Sequence, residues 1–190
     1  MPSKSINKTL KVPTGDLEIY VDRKSQMRAE RLIKKTPSIL TEAEKKGTRR
    51  FANRLLKIVK RCLTTGTPPP GSGESWPPHS AATVKQLGAH TLMNWTGQYK
   101  NSVGIFTSRK RTYVGLPSNV RKQRKALKSG KTSTARTRTL NQVAIMLEFG
   151  SRDGNLPPRR LWNPAYKSAG GNQQLSKDIR DEIRKELRKY

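Results

Sequence analysis

Apolar positions in this chain gather into a few short periodic stretches, separated by basic or proline-rich ones. Leu17, Ile19 and Val21 alternate with Glu18 and Tyr20 between Gly15 and Asp22, which predicts a half-buried strand. A short helix with a thin apolar face is expected over Ser25 to Lys35. It should end before Pro37, because the proline ring disfavours helical geometry in the residue ahead of it. The clearest helical period runs from about Ser38 to Leu63, where Leu40, Ala43, Phe51, Leu55, Val59 and Cys62 form one stripe. Thr41 and Glu44 have capping-box spacing, and Glu42 and Glu44 suit a positive helix start. Lys57, Lys60 and Arg61 suit the negative end, with Gly66 as a stop.

Residues 67–78 hold five prolines and two glycines and read as a loop or extended arm. Val84 to Met93 is compatible with a short helix. Val103 to Phe106 and Thr112 to Leu116 predict two strands, joined by Ser108-Arg109-Lys110-Arg111 as a hairpin with a cationic tip. Val143 to Phe149 is apolar enough to be buried, as helix or strand. From about Ser176, a last helix carries Leu175, Ile179, Ile183 and Leu187 on one side and Arg180, Arg184 and Arg188 on another. Helices and strands are segregated along the chain, so the expected class is α+β: a small sheet against a long helix, with basic arms. The expected division is an N-terminal arm (1–14), a core (15–166) carrying the proline-rich arm (67–78) and a basic insertion (118–138), and a C-terminal helix (167–190).

Charge adds the next constraint. Forty Lys and Arg against thirteen Asp and Glu give a formal charge of +27, and no acid occurs between Ser75 and Leu147. Such a chain repels itself and favours polyanions. With an apolar fraction of only 32%, part of it is expected to lean on neighbours. The single cysteine, Cys62, excludes an internal disulfide and a cysteine-clustered zinc site and suits a reducing cytoplasm. No secretory leader and no membrane-length apolar run is recognisable, so no membrane partner is expected.

Candidate chemistry is concentrated in the cations. Arg109, Lys110 and Arg111 at the hairpin tip, with Arg121, Lys122, Arg124, Lys125, Lys128, Lys131, Arg136 and Arg138 in the tract beyond it, have the density of a phosphate-binding footprint. An acidic protein surface is the other partner they suit. The tract contains no aromatic residue, which favours backbone contact over base stacking. Ser129-Gly130-Lys131-Thr132 resembles the end of a nucleotide-binding loop. Lys125 stands where its first glycine belongs, however, and no apolar strand precedes it. His79 and His90 lack converging partners for a metal. Cys62 lies on an apolar stripe, where a small buried side chain is the default. Asp178, Asp181, Glu182 and Glu186 alternate with Arg180, Arg184, Lys185 and Arg188, which predicts solvent-exposed salt bridging rather than a nuclease metal site. Neither an enzyme nor a cofactor is expected. Trp76, Trp95, Tyr113, Tyr99, Phe149 and Trp162 read as core or interface anchors.

One ordered set of motifs goes beyond composition. Trp76-Pro77-Pro78 leads into Ser80 to Thr83, then Lys85 and Gly88, then Thr96-Gly97-Gln98-Tyr99-Lys100-Asn101-Ser102; downstream come Glu148-Phe149-Gly150 and Arg160-Leu161-Trp162-Asn163-Pro164-Ala165. In this order the segments resemble the tail-completion and neck proteins of tailed bacteriophages, over roughly Trp76 to Ala165. Arg160-Leu161-Trp162 departs from that family's Arg-Pro-Phe, and the Arg121 to Arg138 tract is longer than its usual connection. The resemblance implies a small α+β protomer that forms a ring, commonly a hexamer, around the DNA channel at the head-to-tail joint of the virion. It further implies portal or adaptor and tail proteins as partners, assembly in the host cytoplasm, and no catalysis. The competing reading is a sequence-nonspecific nucleic-acid binder of nucleoid or ribosome-associated type.

Overall fold

The computed structural model describes residues 10–11, 18–19, 23–81, 84–85, 92, 97–108, 111–117, 139–152 and 156–189. In chain order these form β1 (Leu10–Lys11), β2 (Glu18–Ile19), α1 (Arg23–Thr65), α2 (Gln98–Ser102), β3 (Gly104–Ser108), β4 (Arg111–Gly115), α3 (Leu140–Phe149), α4 (Trp162–Ser168) and α5 (Gly171–Leu187). Both sheets are two-stranded and antiparallel. The mixed helix and small-sheet class is therefore as expected. Leu10 and Lys11 pair with Ile19 and Glu18, so the expected N-terminal arm contributes a strand.

The helix boundary expected at Pro37 is absent: α1 runs through it for 43 residues. Proline has no N–H to give the carbonyl one turn back. The turns around it instead carry hydroxyl groups that bond main-chain carbonyls, Thr36 to Leu32 (2.8 Å), Ser38 to Lys35 (2.8 Å) and Thr41 to Pro37 (2.9 Å). Thr41 is thereby committed to the helix interior and is no N-cap. The stripe is displaced at its start, where Ile39 is buried and Leu40 is exposed. From Ala43 onward it holds, through Phe51, Val59 and Cys62. Gly66 ends the helix in the left-handed region (φ 69°), donating its N–H to the Cys62 carbonyl at 2.8 Å.

Two layers form on α1. The β3–β4 hairpin packs on its C-terminal half, in register Gly104 with Gly115 through Ser108 with Arg111. The core there comprises Val59, Cys62, Leu63, Trp76, Tyr99, Val103, Ala144, Leu161 and Ala165. Pro69 of the proline-rich loop is also fully buried, so that segment is more than an extended arm. α5 also lies along α1. The two backbones are close at Gly47, where a Cβ would come within 2.6 Å of Ile179 Cα, so only glycine fits this crossing. Phe51 meets Tyr166 edge-on at 5.5 Å.

α3 resolves the helix-or-strand ambiguity of 143–149 in favour of helix. Its start is a capping box, in which Thr139 Oγ1 accepts from Gln142 N and Gln142 Oε1 accepts from Thr139 N. α5 begins five residues earlier than the expected Ser176, and α4 was not anticipated. Ala81, Val84 and Lys85 are helical; the rest of the helix expected over 84–93 lies outside the described residues, apart from Leu92 in a turn.

Candidate functional site

Three of the motif blocks singled out in the sequence, residues 76–78, 148–150 and 160–165, meet at one place. Trp76 Nε1 donates to the Arg160 carbonyl at 3.1 Å. Arg159, only 2% exposed, sends Nε and Nη2 to the Pro77 carbonyl (3.1 and 2.9 Å) and Nη2 also to that of Pro78 (3.3 Å). Glu148, likewise buried, accepts the N–H groups of Leu161 (2.7 Å) and Trp162 (3.2 Å) through Oε2, supplying partners for free amides at the start of α4. Gly150 turns the chain at φ 82° against the Leu156 carbonyl, and Arg159 N donates to Leu147 O at 2.6 Å. Gly97, at φ 74°, turns the chain into α2, which leads through Val103 into β3.

Both buried charged side chains of this knot, Glu148 and Arg159, bond main-chain groups of other segments. Tyr99 lies buried beside it; burial pushes its phenol above the usual range, the Glu148 charge adds to that, and Trp162 opposes it. Burial lowers the Arg159 guanidinium, and burial raises the Cys62 thiol against the pull of Arg61. Cys62 is buried, as expected of a small side chain on that apolar stripe. No group of histidine, cysteine or acidic side chains among the described residues is arranged to hold a metal ion. Beside the knot is a shallow cavity whose lining includes Glu74, Arg160 and Lys167.

The anchors divide. Trp76 and Tyr99 are buried and Trp162 packs at the core's edge, whereas Tyr113 is 48% exposed. Phe149 corrects the core expectation: it is 74% exposed, because the adjacent Glu148 takes the inward position of α3. Trp95 lies outside the described residues, as do Arg109, Lys110, Arg121, Lys122, Arg124, Lys125, Lys128, Lys131, Arg136 and Arg138. Arg111, at the start of β4, is exposed.

The acids of α5 also depart from expectation. Three of them, Asp178, Glu182 and Glu186, face α1 in an antiparallel ladder, and Glu186 also keeps the expected pairing along its own helix, with Lys189 at 2.6 Å. Lys46 meets Glu186 at 2.9 Å, Arg50 meets Glu182 at 3.8 Å, and Arg54 meets Asp178 at 2.9 Å, all at four-residue steps. Asp178 is 1% exposed and also accepts from Gln174 at 3.0 Å. Burial alone would raise its pKa, but the bonds from Arg54 and Gln174 and the charges of Arg54 and Arg50 leave it lowered. The bonds from Lys189 and Lys46 hold Glu186 down at about 2. Sequence reasoning missed Arg159, Glu148 and Asp178 as buried ties. The available signal was the matched spacing of 46, 50, 54 and 178, 182, 186.

Among the described residues no helix is long and apolar enough to cross a membrane. Comparison with protein-family models, with curated proteins and with solved structures gives no match.

Proposed function

We propose that this protein is a structural subunit of the head-to-tail joint of a tailed phage, a neck or tail-completion protein that assembles as a ring around the DNA channel and performs no catalysis. One observation carries the reading. Motif blocks up to 84 residues apart in the chain, which resemble that family in order, converge on a single hydrogen-bonded knot. A chain that merely carried charge would have no use for it. The exposed Ile145 and Phe149, one turn apart on α3, suit contact with a neighbouring subunit. Portal or adaptor and tail proteins are the further partners, and the cations of 109–138 face DNA or an acidic partner surface.

The net charge of +27 favours a second reading, a monomeric sequence-independent nucleic-acid binder. Sedimentation of the purified chain, alone and with portal and tail components, separates the two. A closed oligomer, or incorporation into the joint, is expected. A stable monomer that joins neither assembly overturns the ring.

A further inference from the structure

From Lys45 to Thr65, α1 contains eight cations, Lys45, Lys46, Arg49, Arg50, Arg54, Lys57, Lys60 and Arg61, and no acid. The fold sorts them. Lys46, Arg50 and Arg54 point into the carboxylates of α5 and are neutralised there. The other five are exposed and form no ion pair among the described residues. Four of them follow a single helical ridge, Lys45, Arg49, Asn53, Lys57, Lys60 and Thr64, at steps of four, four, four, three and four residues. Every position on it is exposed. Of the two acids just before the ridge, Glu42 is held by Lys46 at 3.2 Å, and Glu44 is exposed on the neighbouring row of the helix, that of Thr48 and Ala52.

We propose that this ridge of α1 is a docking surface for the phosphate backbone of duplex DNA. At a rise of about 1.5 Å per residue, Lys45 to Lys60 spans roughly 22 Å, while duplex DNA presents about one negative charge per 1.7 Å of axis. A straight row of donors of this length reaches several phosphates along one side of a duplex. The ridge carries cations and small polar groups only, Asn53 and Thr64 included, and no apolar side chain. Protein interfaces bury an apolar centre, so this composition fits a backbone of phosphates better than an acidic protein. Binding through it is independent of base sequence. The surface is complete on one chain, so the inference goes beyond the ring and stands or falls separately from it.

The test uses the full-length protein and fluorescence anisotropy with two 25-base-pair duplexes of unrelated sequence, over a range of salt. The ridge variant is Lys45→Gln, Arg49→Gln, Lys57→Gln, Lys60→Gln. A control, Arg152→Gln, Lys167→Gln, Lys177→Gln, Lys185→Gln, removes the same charge from other exposed sites. Circular dichroism checks that both keep their helix. The ridge variant is expected to bind both duplexes at least tenfold more weakly. Its salt slope should be shallower by about two to three units, near 0.9 per lost phosphate contact, and the control should change it by less than one. Equal losses in the two variants would reduce the effect to net charge and overturn the proposal, as would an unaltered slope in the ridge variant. Competition by poly-glutamate as effective as by DNA would also overturn it, because the ridge would then accept any polyanion, acidic proteins included. A ridge variant that loses DNA while still sedimenting as a ring supports both readings, one that keeps its DNA affinity and slope overturns the ridge alone, and a parent chain that is monomeric yet loses DNA through the ridge overturns the ring alone.

Discussion

Glu148 and Phe149 are neighbours with opposite duties, and they show how one position along a helix decides what a side chain is for. Glu148 turns inward, where its carboxylate is the partner of two main-chain N–H groups of the Leu161–Trp162 segment. Glu148→Ala strands both donors, and an unsatisfied buried group costs about 1–3 kcal/mol. The expected loss is therefore about 2–4 kcal/mol in chemical denaturation. Phe149→Ala, at a site 74% exposed, is expected to stay within about 0.5 kcal/mol. The reverse ranking would show that the aromatic ring, and not the carboxylate, holds this region together. The sequence pattern pointed to this place and misjudged its residues. Hydropathy assigns a phenylalanine inward and a glutamate outward, and it cannot register main-chain donors that converge on a carboxylate from a segment 13 residues on.

At the scale of elements, the α1–α5 pair combines a steric demand with an ionic one. Gly47 allows the close approach, and the ladder fixes the register. Both carboxylates with depressed pKa values, Asp178 and Glu186, are held down by contacts that exist only in the folded chain. A depressed carboxylate stabilises the fold above its unfolded pKa, and that stability is lost as pH falls through the folded value. For Glu186 the window runs from 4.5 down to about 2. The raised pKa of Lys46 acts only above 10.5 and leaves this range untouched. Thermal stability is thus expected to be flat from neutrality to about pH 5 and then to decline. Asp178→Asn should have a shallower acid decline and lose about 1–3 kcal/mol at neutral pH, less than a fully buried pair because Arg50 and Arg54 are partly in solvent. An unchanged acid limb in that variant would remove Asp178 from the ladder's energetics. The long helix, the hairpin and the C-terminal helix were legible from period and turn chemistry. The run through Pro37 was not, because hydroxyl groups of Thr36, Ser38 and Thr41 bond main-chain carbonyls in the turns where proline cannot donate, and a hydropathy period does not register them. Nor was α4, whose seven residues contain a proline and too few apolar positions to display a period.

For the whole molecule the balance of charge outweighs any one pair. Forty cations meet thirteen acids, so even with every acid paired most cations would have only like-charged neighbours and solvent. Salt acts on both sets: it weakens the exposed pairs of the ladder, and it screens repulsion among the many cations left over. With Lys46 44% and Arg50 56% exposed, the attractive pairs contribute little each, and the repulsive ones are more numerous. The melting temperature at neutral pH is therefore expected to rise between about 20 mM and 500 mM sodium chloride, a range over which the Debye length falls from roughly 20 Å to about 4 Å. Short duplex DNA at low salt should raise it further, by binding the folded state's ordered rows of cations in preference to the unfolded chain. A melting temperature that falls steadily with salt would mean that the ion pairs, few as they are, govern this fold. The neutralised and exposed rows of α1 would then have exchanged the importance assigned to them here.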